Sequence, residues 1–140
     1  MRKMIAAIAV LALLVCALIP SASFTEDRDT ILLARTIYAL GKTEDYETKL
    51  ALGTVVMNRL ENNWFADSLG EVLKDQQQFP AGSRYDDDSL RAAHELLSGK
   101  RTLNASALYY QSADASRSWG SENMVDSVGG YNFYSVNGNV

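Results

Sequence analysis

Three groups of side chains in this chain of 140 residues have the types and spacing for chemistry. The first is TIYALGKTEDYE, residues 36–47, which reads as a helix end, a short polar loop and a helix start. It holds Tyr38 and three carboxylates, Glu44, Asp45 and Glu47. One carboxyl with a raised pKa is enough for general-acid work. The same residues would equally make a solvated acidic loop that opens the second helix. The second group is QQQFP at 76–80, where amides such as that of Gln78 beside Phe79 suit sugar hydroxyls and a pyranose face. Its alternative is a polar connection with Phe79 tucked into the core. The third is the aromatic and amide density of Tyr109, Tyr110, Gln111, Trp119, Tyr131, Asn132, Phe133 and Tyr134. Such side chains offer an apolar face plus a hydrogen-bonding group, although strand alternation sends about half of them to a core.

Weaker candidates complete the set. His94 sits within a helical stretch between Ala93 and Glu95, a setting for packing or surface rather than catalysis. Asp86, Asp87 and Asp88 lack the glycine-punctuated spacing of a calcium loop. With one histidine and one cysteine in the chain, a zinc site has almost no ligands to draw on, and no metal or cofactor is expected.

Charge narrows the partners. The chain carries 13 Lys and Arg against 17 Asp and Glu, a net charge of −4. That argues against nucleic acid and anionic membrane, which both demand a basic face. A carbohydrate polymer, bound by hydrogen bonds and aromatic stacking, stays open. A monomer is compatible with this acidity and length.

The elements that must position these groups follow from periodicity. Ile31, Leu33, Ala34, Ile37 and Tyr38 predict a first helix with an N-cap at Asp29 or Thr30 and Gly41 as its stop. A second helix is expected over about Tyr46 to Leu60, apolar over most of its girth and therefore central. Gly53 in its middle costs about 1 kcal/mol against alanine, which close approach of another segment would explain. A short helix is expected near Leu69 to Leu73, and another, started by Asp86–Asp88, closes at Gly99. SALYYQS and YNFYSV read as two strands, with a Ser/Asp/Gly-rich loop over 112–130 between them. The fold class is α+β, mainly helical with a small C-terminal antiparallel sheet.

Residues 1–23 stand apart. A basic MRK, an apolar run from Met4 to Pro20 and small residues at SAS predict a secretory signal peptide, with residues 24–140 as a single domain outside the cytoplasm. An uncleaved anchor, with membrane contact through this segment alone, is the alternative. Cys16 lies inside the segment, so the domain itself has no thiol chemistry.

Several of these stretches, in order, resemble one family. LLARTIYALGKTEDYETKLALGTVVMNRL is similar to the core motif of the SleB-type cell wall hydrolases, which reads L-L-A-R-x-I-Y-A-E-A-x-G-E-x-Y-E. QQQF, RAAHELLSGK, ALYYQS and GGYNFY resemble its later motifs. The resemblance implies a fold like goose-type lysozyme and the lytic transglycosylases. It also implies a secreted, cell wall-associated protein acting on the glycan strands of peptidoglycan. In the family one glutamate at the end of the first helix protonates the glycosidic oxygen and then acts as base. Aligned without gaps, that glutamate falls on Leu40, which has no proton to give, and the closing motif's histidine falls on Tyr131. Glu44, about 6 Å further along a regular helix, is the one rescue candidate for the acid. Tyr38, Gln78, Phe79, Tyr109, Tyr110, Tyr131 and Tyr134 are the expected substrate contacts. The alternative function is a catalytically impaired member that binds peptidoglycan or regulates another hydrolase.

Overall fold

The computed structural model describes residues 26–117 and 119–137, so the expected signal segment lies outside the described residues. Helix α1 (Arg28–Gly41) starts at Asp27, whose side chain accepts the Thr30 N–H at 2.8 Å. Its cap is thus two residues earlier than Asp29. The helix also runs through Gly41 instead of ending before it. Gly41 has no positive φ; its value is room, because a Cβ there would meet Leu52 Cδ1 at 3.3 Å.

Helix α2 (Tyr46–Leu60) opens on Asp45, which accepts the Thr48 N–H at 2.9 Å. Every residue from Thr48 to Arg59 is buried, so α2 is the central element. At Gly53 a Cβ would lie 2.3 Å from Leu96 Cδ1 and 3.0 Å from Ile37 Cδ1. Only glycine admits that approach of the flanking helices. Helix α3 (Leu69–Val72) is a single turn; α4 (Asp87–Leu97) is capped by Asp86 through the Ser89 N–H. Helices α1 and α4 pack on each other and both pack on α2, with Leu33, Ile37, Val55, Ala93 and Leu96 wholly buried between them.

The sheet has three antiparallel strands in the order β1-β3-β2: β1 (Tyr109–Ser112), β2 (Met124–Val128) and β3 (Tyr131–Tyr134). The expected loop over 112–130 is therefore corrected, since it contains β2 and a short 3₁₀ turn (Ser121–Asn123). Strand β2 is exposed along most of its length, so it lacks the hydrophobic alternation that marks a half-buried strand. Its pairing partner, not its own pattern, makes it a strand. Gly129, at φ +58°, turns β2 into β3.

Candidate functional site

The candidate site is the corner where α1 ends, facing the C-terminal end of β1 and the N-terminal end of β3. Glu44 follows α1 in a tight turn whose N–H bonds to the Gly41 carbonyl at 3.0 Å. Leu40, on the last turn of α1, is half-buried and packs against the core. Its backbone carbonyl accepts a hydrogen bond from the Tyr131 hydroxyl at 3.3 Å. The last strand is thus tied to the last turn of α1.

Tyr131 senses its surroundings. Burial pushes its hydroxyl pKa up, and the negative charges of Glu44 and Asp114 push it the same way. Asp114 was not singled out in the sequence, because nothing local distinguishes it from other loop aspartates; the turn after β1 brings it here. Tyr110 stands beside Tyr131 with ring centroids 5.9 Å apart. Its pKa is pushed up to about 12, first by burial and then by Tyr131. At neutral pH both hydroxyls are neutral, with their protons given to the Leu40 and Gln78 carbonyls, so toward the corner they can only accept.

Of the expected substrate contacts, Tyr38, Tyr110 and Tyr131 are half-buried at or near this corner, and Lys42 Nζ lies 5.9 Å from the Tyr38 ring centroid. Phe79 and Tyr134 are corrected: each is only 1% exposed and packs inside. The turn after Asp75 directs Phe79 inward, and Tyr134 ends a strand whose last two residues, Phe133 and Tyr134, are both enclosed, where apolar area is best removed from water. Gln78 is corrected too, because its amide is spent within the protein. Its Nε2 donates to the Tyr110 carbonyl at 3.2 Å, and its Oε1 accepts the Tyr110 N–H at 3.1 Å. The Tyr110 hydroxyl donates to the Gln78 backbone carbonyl. The side chain thereby imitates a neighbouring strand and holds β1 in place.

Behind Gln78 lies Arg59, which sequence reasoning did not single out. It is 1% exposed. Its Nε donates to the Leu108 carbonyl at 2.7 Å and its Nη1 to Asp75 at 2.9 Å, while Nη2 reaches Gln78 Oε1 at 3.4 Å. The guanidinium is caged by Phe65, Phe79 and Tyr109, with ring centroids 4.9, 4.8 and 4.6 Å away. A signal existed: a charge closing an otherwise apolar helix must find partners when buried. Tyr109 therefore serves this cage on one side, while its other neighbour is Trp119 at 6.5 Å. His94 lies away from the corner, exposed, with Nε2 2.9 Å from Glu26. Among the described residues, no three His, Cys, Asp or Glu side chains converge to hold a metal ion.

A helical domain with a three-stranded sheet closing on the end of its first helix is a defined architecture, and solved structures share it. The catalytic domain of the Bacillus cereus SleB protein superposes with a TM-score of 0.69 at 20% identity, over 81% of this chain and 94% of that one. The catalytic domain of the germination-specific lytic transglycosylase SleB from Bacillus anthracis gives 0.68 at 18% identity, over 81% and 98%. In sequence, a spore cortex-lytic enzyme of Halalkalibacterium halodurans is 27% identical over 66% of this chain. The matched region is about a third of that relative's length, 30%. The cell wall hydrolase family model matches residues 43–134. The chain belongs to the cell wall hydrolase family. Leu40 and Tyr38 lie just before the matched region, whereas Glu44, Gln78, Tyr110 and Tyr131 lie inside it.

Proposed function

We propose that this protein engages the glycan strands of peptidoglycan outside the cytoplasm, at the corner of α1 and the sheet, without the general acid of its family. The observation that carries the reading is Leu40. Its hydrocarbon side chain packs on the core at the end of α1, and its carbonyl is held by Tyr131. A leucine forfeits proton donation, which is worth about 10²–10⁴-fold in rate. The corner keeps half-buried tyrosine rings, hydroxyl oxygens that can still accept, and a backbone fixed by the bonds those hydroxyls make. Fold and family membership support the choice of substrate class.

A second reading has one observation in its favour. Glu44 follows directly on the last turn of α1, and its negative charge is among the causes that raise the Tyr131 hydroxyl pKa. Glycosidic cleavage would then use Glu44 as acid and base in turn, with either water or a sugar hydroxyl as nucleophile.

One experiment separates the two. Purified protein is incubated with peptidoglycan sacculi, then scored for retention on the pellet and, by mass spectrometry, for released reducing-end or anhydro muropeptides. Retention without release supports the first reading. Release that disappears in Glu44→Gln establishes the second. Neither retention nor release would overturn both.

A further inference from the structure

At the end of α2 farthest from Leu40, the chain presents Trp64 to solvent. It is 88% exposed, the largest exposure among the large hydrophobic side chains described. Leaving an indole in water forgoes the burial of a large apolar surface, so an exposed one on a rigid mount invites an explanation from binding.

The mount is rigid. The Trp64 N–H donates to Asn62 Oδ1 at 2.8 Å, and the Phe65 N–H donates to the Asn62 carbonyl at 3.1 Å. The next ring, Phe65, is anchored under the guanidinium of Arg59 and beside Tyr109, 6.1 Å between centroids. Trp64 thus projects from an Asx turn clamped to the core. Beside it runs a shallow cavity lined by Glu61, Asn62, Asn63, Trp64 and Leu108. The Asn63 side chain is exposed and makes no hydrogen bond within the described protein, and Glu61 is tied to Arg101 at its margin.

We infer that Trp64, with Asn62 and Asn63, forms a second saccharide-binding site that stacks a pyranose ring of the glycan strand. An indole face matches the apolar face of a sugar ring, and flanking amides supply both donors and acceptors for its hydroxyl and acetamido groups. The local charge argues against an anionic membrane as the occupant, since Glu61 and Asp67 flank the turn and the chain is acidic. The site lies beyond the C-terminal end of α2, whereas Gly41 at the Leu40 corner packs against Lys49 and Leu52 earlier in that helix. A long strand could therefore touch both, and the second contact would raise retention by making it intramolecular. The site rests on the proposed glycan-binding reading and deepens it.

The test uses tryptophan as its own probe. The chain has two tryptophans, and Trp119 is packed on Tyr134 at 5.2 Å between centroids. Trp119→Phe leaves Trp64 as the sole indole emitter, with circular dichroism checking the fold. Titration with soluble β-linked N-acetylglucosamine oligomers should shift its emission to the blue, while vesicles of anionic phospholipid leave it unchanged. In the full chain, Trp64→Ala should weaken retention on sacculi roughly three- to tenfold, with Trp64→Tyr retaining part of it. Wild-type retention that Trp64→Ala leaves intact, with no spectral response to oligomers, overturns this site and spares the glycan-binding reading. A response to vesicles alone overturns it in favour of a membrane contact. A wild type that is not retained at all overturns both.

Discussion

The Tyr131 hydroxyl donates to the carbonyl of Leu40 across 3.3 Å, joining residues 91 positions apart. This bond makes the end of α1 and the start of β3 one unit, beside a Leu40 side chain that packs on the core. A carboxylate installed there would be partly desolvated, which raises its pKa toward the range a general acid needs. We therefore expect Leu40→Glu to release muropeptides from sacculi at a rate on the order of 10²-fold or more above the wild type. Tyr131→Phe in that background should reduce the gain, and alone should lower stability by about 1 kcal/mol in urea unfolding. An intact Leu40→Glu protein with no release would mean that the corner lacks more than its acid.

Arg59 decides whether β1 stays attached to α2. Arg59→Met keeps the length of the stem but strips the hydrogen bonds to Leu108, Asp75 and Gln78. A loss of about 2–4 kcal/mol is expected in chemical denaturation. Asp75→Asn should cost under about 1 kcal/mol, because Asp75 is partly exposed and its pair is screened. Equal losses for the two variants would show that the ion pair, rather than the cage and the Leu108 bond, carries the contribution.

Gly53→Ala sets two effects against each other. Alanine gains about 1 kcal/mol of helix propensity, yet its methyl would sit 2.3 Å from Leu96 Cδ1, with Ile37 at 3.0 Å. Both neighbours are fully buried and have little room to shift, and overpacking costs about 1–3 kcal/mol. The melting temperature should fall. A rise would mean that α4 can slide away from α2.

Alkaline pH should loosen the sheet. Tyr110, held neutral by burial, has its pKa pushed up to about 12 from an ordinary 10.0, and Tyr131 moves the same way. Below pH 10 both states keep the proton, and the contribution is fully present. Between 10 and 12 the unfolded chain releases it while the folded one does not, so stability falls with pH. The Tyr110 share is on the order of 2 kcal/mol by pH 12. Urea midpoints measured across this range should drop, and Tyr110→Phe should flatten the slope.

Acid acts at the helix starts. Hydrogen bonds from Thr30 to Asp27 and from Thr48 to Asp45 hold both caps below the usual carboxylate value. At Asp86 burial opposes ionisation, but Ser89 and the Lys49 ammonium outweigh it and the pKa is again lowered. These groups stabilise the fold above the ordinary value of 3.8 and lose that contribution as pH falls through their folded values. Asp86→Asn should make the acid unfolding curve shallower; an unchanged curve would exclude Asp86 as a contributor.

The sequence by itself determined the helices and the family, because both rest on local order. Apolar spacing marks α1, α2 and α4, the Asp86–Asp88 run marks the start of α4, and the motif segments occur in sequence along the chain, while the α1 cap lies at Asp27 and not at Asp29 or Thr30. The assignment of Leu40 to the family's acid position rests on the motif resemblance alone, since the family match begins at residue 43. Strand β2 was not legible, since an exposed strand carries no hydrophobic alternation and exists through its partner β3. Nor could composition tell which aromatics face out: Phe79 and Tyr134 are enclosed, Tyr110 and Tyr131 are shared between core and corner, and Trp64 stands in water. Side-chain direction depends on which surfaces meet, and only the tertiary structure brings Gln78 against Tyr110, Arg59 into its cage and Tyr131 onto Leu40.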